Sequence, residues 1–308
     1  MVWWGRQRKL PGWFACSLDA SGMQFAHARA ISGAKSTVSA YGSENFGDAP
    51  GLARVAQSMK LGRYDCAALL RPGEYQLVLV DAPSVPREEL KSAIRWKIKD
   101  MIDYHVDDAT VDVLDIPPPE GAAARAHMMF AVAAKNDMLE EKIRRFADAR
   151  IPLSVIDIPE TAQRNLAALY ESPERAVGLV YFDDQGGLLT INYRGELYLA
   201  RRLEVGVPQL TEDSLEREGS LERLAVEVQR TLDHFDRQFR SVPVERVLVA
   251  PSAANGIAEF LKGRLGIQAE EIDLNDVLAF EGVPPDRDTQ WRLFHHFGAA
   301  LREEKKAL

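Results

Sequence analysis

Cysteine is almost missing from this sequence. Its 308 residues hold two, Cys16 and Cys66, far apart and without metal-type spacing. That excludes a disulfide scaffold and the usual zinc frameworks, and both read as reduced, buried thiols. Long apolar runs are missing as well: the longest, such as "MMFAVAA", have strand length, against the ~20 residues of a membrane-crossing helix. The opening "MVWWGRQRKLPGWF" has basic residues with no apolar stretch behind them, so it is not a secretory signal, and the chain is expected in the cytoplasm. Neither G-x-x-x-x-G-K-[ST] nor G-x-S-x-G occurs, which leaves P-loop and α/β-hydrolase chemistry without support. Positive charge is not in excess: 38 Lys and Arg against 46 Asp and Glu leave a net −8, so no nucleic-acid partner is expected. The acidic run Asp100, Asp103, Asp107, Asp108, Asp112 and Asp115 lacks the glycine turn and closing glutamate of a calcium loop. His295 and His296, adjacent on a helix, face different ways and make no i, i+4 zinc pair; they read as packed or exposed side chains. No catalytic residue and no metal site is expected.

What is present is a repeated pattern. Apolar residues at 46% and charged residues at 27% give the balance of a globular protein, and the length suits two lobes. Strands are predicted at Trp13–Leu18, Met23–Ala30 and Thr37–Tyr41, then a helix over Leu52–Lys60, then the strands "CAALL" and "YQLVLVDAP". After Pro83 and Pro86, "SVPREELKSAIRWKIKDMI" reads as a helix with an inner face of Leu90, Ala93, Ile94, Ile98 and Met101. Its other side is a strip of Lys91, Arg95, Lys97 and Lys99. The strands "TVDVLDI" and "HMMFAVAAK" and the helix "NDMLEEKIRRFADAR" fill out a small unit placed at 84–150. From Ala176 the opening meander returns as Ala176–Phe182, Leu188–Tyr193 and Leu197–Leu203, with Arg194-Gly195 as a tight hairpin. A long helix carries Leu221, Leu224, Val228, Leu232, Phe235 and Phe239 on one face. The fold class expected is thus α/β, a duplicated actin-like (ribonuclease H-like) two-lobe fold with a small α+β insert. The first lobe takes 1–83 and the second 151–308, with 151–172 and a C-terminal helix at 289–302 linking back.

The segment "LVDAPSVPREELKSAIRWKIKDMIDYHVDDATVDVLDIP" resembles the one that PilM-type pilus-assembly proteins insert into their first lobe. "SVIDIPETAQRNLAALY", "GGLLTINYRGELYLARRLEVG", "EVQRTLDHFDRQF" and "FGAALREE" follow in the family's order. Among PilM-like proteins, the resemblance is to the MshI type of mannose-sensitive haemagglutinin pilus systems. It implies an actin-like ATPase fold related to FtsA and to the cytoplasmic domain of GspL. It also implies a cytoplasmic position peripheral to the inner membrane, with PilN-like and PilO-like (MshJ-type) inner-membrane partners. In PilM a short PilN tail lies in a groove beside the inserted subdomain.

An actin-type pocket holds phosphates on backbone N–H groups of two hairpin turns, with carboxylates ordering Mg²⁺. In "LDASGMQF", Asp19 and Ser21 remain of the first turn; in "DDQGGLLT", Asp183 or Asp184 would supply the metal-side carboxylate, and Asp184, Gly186, Gly187 and Thr190 are the second turn's candidates. The family's glycine pair on the adenosine side is replaced by Ala250 and Pro251, and that after the second hairpin by Gly206 alone. The expectation is a degenerate site without a cofactor, with ATP and Mg²⁺ as the alternative. Arg95, Trp96 and Lys97 are the partner-binding candidates, an aromatic between cations that would anchor an extended peptide; the alternative turns Trp96 inward. Trp3 and Trp4 beside Arg6, Arg8 and Lys9 would suit a peripheral membrane contact, or packing on the first lobe.

Overall fold

The computed structural model describes residues 9–31, 34–118, 127–211 and 215–303. The predicted first meander forms as β1 (Trp13–Leu18), β2 (Gly22–Arg29) and β3 (Thr37–Asn45), followed by α1 (Ala49–Ser58) and β4 (Asp65–Leu69). Asp48 starts α1 by accepting from the Gly51 amide at 2.7 Å, ahead of a proline whose missing N–H costs nothing in a first turn.

The small unit contains β5 (Gln76–Asp81), α2 (Leu90–Lys97), β6 (Ala109–Asp115) and β7 (Met128–Lys135), in a three-stranded sheet ordered β5-β7-β6. One boundary moves. β5, expected in the first lobe, pairs with β7, so the chain leaves the first sheet after Leu69, through the Arg71-Pro72-Gly73 turn rather than at Pro83. The helix is also shorter than its apolar period, ending at Lys97. The Gln76 side-chain amide accepts from the Asp103 backbone N–H at 3.1 Å and donates to its carboxylate, drawing the chain out of helical geometry.

Next come α3 (Asn136–Asp148), β8 (Leu153–Asp157) and α4 (Pro159–Ala167). Phe146, Ala149 and Ile151 pack with Phe14, Cys16 and Cys66, so α3 covers the first lobe's sheet and β8 joins it beside β4. Both thiols are free and buried, and burial pushes that of Cys66 up to about 12.

The second half repeats the plan with β9 (Ala176–Phe182), β10 (Gly187–Tyr193) and β11 (Glu196–Leu203), a short α5 (Val207–Leu210), α6 (Arg217–Gln238), β12 (Val244–Val249), α7 (Ile257–Arg264) and β13 (Gln268–Glu271). Arg194 and Gly195 have φ of 53° and 71°, two left-handed residues in the two-residue turn the sequence marks. The apolar face of α6 closes one side of this sheet with Leu224, Val228 and Phe235.

β14 (Ala279–Phe280), α8 (Arg287–Arg292) and α9 (Phe294–Ala300) end the described chain, the C-terminal helix breaking at Leu293. Strand order gives the architecture. The first sheet runs β14-β3-β2-β1-β4-β8 and the second β11-β10-β9-β12-β13; apart from β14, which adds parallel to β3, each has three antiparallel strands followed by two parallel ones. Two copies of that order facing each other are the actin-like fold. α4 and α9 lie in the core between the sheets: Ala162, Leu166, Phe294 and Phe297 pack with Ala15 and Ala26 on one side and Leu179 and Leu248 on the other.

Candidate functional site

The two phosphate-turn candidates prove to be the same device. At the β1–β2 turn one carboxylate oxygen of Asp19 accepts from the Ser21 and Gly22 amides at 2.8 and 2.5 Å. At the β9–β10 turn one oxygen of Asp183 accepts from the Gln185 and Gly186 amides at 2.8 and 3.0 Å. Those amides are the ones a phosphate would need. Each turn is closed by its own carboxylate, which also repels an arriving anion; the backbone donors hold the Asp19 carboxyl below the usual carboxylate range.

The remaining candidates do not assemble around a ligand either. Asp19 and Ser21 stay at the exposed tip of their turn, where Arg145 of α3 donates to the Asp19 carbonyl at 2.6 Å. A Cβ on Gly186 would lie 2.5 Å from the Leu203 carbonyl oxygen, and one on Gly206 would lie 2.7 Å from that of Asp183. These glycines admit neighbouring backbone. Gly187 is buried at the start of β10. Thr190 is fully buried and accepts from Gln163 of α4 at 3.0 Å and from Asn192 at 2.9 Å, so its hydroxyl belongs to the core. Ala250 and Pro251 are buried.

Between the lobes remains a cleft of about 550 Å³, reached by Ser17, Asp184, Arg202, His295 and His296. Its arginines are engaged: Arg71 lies 3.6 Å from Glu74, Arg292 lies 2.9 Å from Asp288, and Arg202 donates to Tyr75 at 2.6 Å and Glu160 at 3.0 Å. Asp184 is exposed, with no hydrogen bond or ion pair among the described residues. The cleft thus keeps one free carboxylate, while its arginines are committed to neighbouring side chains. Among the described residues, no cluster of His, Cys, Asp and Glu is arranged to hold a metal.

The adjacent histidines, expected to face different ways as packed or exposed side chains, are packed between the lobes. Their opposite orientations send them to opposite lobes: Nε2 of His296 lies 2.8 Å from the Ser17 hydroxyl, and Nε2 of His295 lies 3.2 Å from the Gln163 side-chain oxygen. Burial lowers both pKa values, to about 3 for His295, helped by Arg202 and His296, and to about 4 for His296. An imidazole of such low basicity does not activate a serine at neutral pH, so Ser17 and His296 form a structural bridge.

A second concavity lies beside the small sheet, with a volume of about 420 Å³. Asp112 to Asp115 of β6 form one wall, Ile156 and Asp157 of β8 another, and Glu196 and Leu197 of β11 a third. Each of these strands is the outermost of its sheet. On the other face of the small sheet, where Ile94 and Ile98 of α2 pack with Val113 and Ala131, the expected partner strip divides. Trp96 is 69% exposed, so it does not turn inward, while Lys91, Arg95 and Lys97 pair with Asp112, Asp107 and Asp81 at 2.8, 3.6 and 3.6 Å. Three of the strip's four cations are thus paired with aspartates, two of which belong to the acidic run, while Lys99 is exposed without a partner among the described residues.

No family model and no curated protein matches the sequence. Among solved structures, a chain of the PilM–PilN type IV pilus biogenesis complex matches over 94% of this chain and 96% of its own, at 20% identity and a TM-score of 0.67. The chain has a PilM-like, actin-like fold. The cytoplasmic domain of EpsL, an inner-membrane component of the type II secretion system of Vibrio cholerae, aligns over 95% of this chain and 96% of its own at 11% identity, with a TM-score of 0.48. No helix among the described residues is long and apolar enough to cross a membrane.

Proposed function

We propose that this chain is a non-catalytic adaptor of type IV pilus assembly, which captures the cytoplasmic tail of a PilN-like inner-membrane protein and holds no nucleotide. The observation that carries this reading is the meeting of three outermost strands, β6, β8 and β11, around one groove. An outermost strand presents unpaired main-chain groups, and an extended peptide adds to it as a further strand, its main chain giving affinity and its side chains register. On β6 the Val113 amide donates to the Asp112 carboxylate, at 2.9 Å. Trp96, exposed on the helix tied to β6 through Lys91 and Asp112, is a second candidate contact. The PilM-like fold and the PilM-type segments in the sequence support a place in the cytoplasm against the inner membrane. The MshI-type assignment and a PilO-like (MshJ-type) second partner rest on those segments alone.

The test is calorimetric titration with a synthetic peptide copying the cytoplasmic tail of a PilN-like protein, followed by hydrogen exchange on the complex. Saturable binding is expected, with slowed exchange in 109–115 or 153–157, and weaker capture by Trp96→Ala. Absence of binding, or protection confined to other segments, would reject the groove. A parallel titration with a fluorescent ATP analogue, with and without Mg²⁺, is expected to show no saturable binding. Metal-dependent binding that disappears in Asp184→Ala would replace the adaptor by an ATP-binding switch acting on pilus assembly.

A further inference from the structure

On the face of the first sheet turned away from α4 and α9, the last turns of α1 and α3 and the residues just after them enclose a basic dish of about 880 Å³. Arg54, Lys60, Arg63 and Arg150 line it with Asp148 as its one acid, and it shares no lining residue with the cleft or the groove. No side-chain hydrogen bond or ion pair engages Lys60, Arg63 or Arg150 among the described residues, and Arg54 reaches only Asp48, at 3.8 Å. In a chain of net charge −8, three unpaired cations around one concavity are a local reversal of sign. Their backbone adds a second observation. Lys60 and Arg150 each stand just past a helix end with φ of 56° and 58°, the left-handed place that glycine takes without steric cost. After α3 the Arg150 amide bonds the Ala147 carbonyl and the Ile151 amide that of Phe146, both at 2.9 Å, the closure that glycine ordinarily makes. A cation interacts favourably with a helix C-terminus from anywhere in the last turn, so the dipole alone does not call for the strained position. Two long cationic side chains are held there all the same, and both line the dish.

Three features of the dish select its ligand. No aromatic side chain lines it, so a nucleotide base finds nothing to stack on. The C-terminal ends of α1 and α3 bring partial negative charge, which opposes a compact anion seated between them. Between the cations the lining is small, Ala53, Ala56, Gly62 and Ala149, and a Cβ added to Gly62 would meet no atom within 4 Å. A polypeptide backbone can therefore come close while its side chains reach outward to the cations. We propose that the dish docks an acidic peptide segment of a partner protein, whose carboxylates, spaced along the chain, pair with Lys60, Arg63 and Arg150. Tail capture plays no part in this docking, and its test contains no PilN-like peptide.

The experiment is fluorescence anisotropy of the full chain with a labelled decapeptide of alternating Glu and Ala, against the same peptide with Gln in place of Glu. Saturable binding is expected for the Glu peptide only, weakening as salt is raised. The variant Lys60→Gly, Arg63→Gln, Arg150→Gly, whose glycines suit the left-handed backbone, should bind about tenfold more weakly, as the loss of three exposed ion pairs predicts. Gly62→Trp leaves every charge in place and fills the dish, and should weaken binding by about tenfold or more. Circular dichroism and urea unfolding check that both variants fold, and either one alone suffices for the test. No binding of the Glu peptide, equal binding of the Gln peptide, or an unchanged triple variant overturns the proposal. So does a Gly62→Trp variant that binds like wild type, which would show a diffuse field in place of a seat. Equally strong binding to duplex DNA or to vesicles containing phosphatidylglycerol overturns it too, by marking an unselective polyanion patch.

Discussion

Exchanging Gly298 for alanine is expected to destabilise the protein by at least about 3 kcal/mol, read as a fall in the urea midpoint. The reason is the crossing of α4 and α9 between the lobes. A Cβ at Gly298 would stand 2.1 Å from the Ala162 carbonyl oxygen and 2.7 Å from its carbon, and both are backbone atoms that no rotamer change can move. The helices must part, and with them the core in which Ala162, Leu166, Phe294 and Phe297 join both sheets. Gly263, in α7, is the internal control, since no atom lies within 4 Å of its added Cβ. Gly263→Ala should raise stability by up to about 1 kcal/mol through helix propensity. A Gly298→Ala midpoint within experimental error of wild type would mean that the two helices do not cross this closely.

Much of this frame was legible because it is local. The meander strands are short apolar segments bounded by turn residues, Arg194-Gly195 announces its turn, and the apolar stripe of α6 covers the second sheet as its spacing predicts. The closing of both phosphate turns was also open to reading: "DASG" and "DDQG" place an aspartate three residues before a glycine at equivalent hairpins, the spacing of a side chain that caps its own turn. Reading Asp183 or Asp184 as a metal-side carboxylate left the capping role of Asp183 unread. Other features depend on pairing between distant segments. Nothing in "YQLVLVD" says that it pairs with residues 128–135 instead of the first sheet, because a strand's partner is set by the whole sheet. The meeting of β6, β8 and β11 is further removed, since being outermost belongs to a sheet and not to a strand. The pairing of Lys91, Arg95 and Lys97 with aspartates likewise needed the fold to bring Asp81, Asp107 and Asp112 around one helix. The N-terminal tryptophans lie outside the described residues.

The histidines lead to the second large effect: stability should fall steeply as pH drops from about 6.5 to 4.5, before most carboxylates titrate. In the folded chain His295 and His296 titrate near 3 and 4, because burial between the lobes disfavours their charged forms. The unfolded chain takes up the same protons near 6.5. Both folded values are depressed, so the unfolded state binds more protons throughout this interval, and each proton taken up favours unfolding. The contribution is complete above about pH 6.5, shrinks as pH falls through the interval, and is gone below about 4 for His296 and 3 for His295. At about 1.4 kcal/mol per pH unit for each group, the pair gives up on the order of 5 kcal/mol by pH 4.5, a large part of an ordinary domain's stability. Asp19, held low by its turn amides, loses its contribution only at lower pH, outside this window. His27, lowered chiefly by burial, adds a slope of the same sign to wild type and variant alike. Urea unfolding of wild type and of His295→Gln, His296→Gln at a series of pH values separates the terms. The wild-type midpoint should fall steeply below pH 6.5 and the variant's only gently, because its amides carry no charge at any pH. Parallel curves would show that the histidines take up protons in the folded protein, and hence that the lobes open around α9 far more readily than their packing against Ser17, Gln163 and Tyr181 implies.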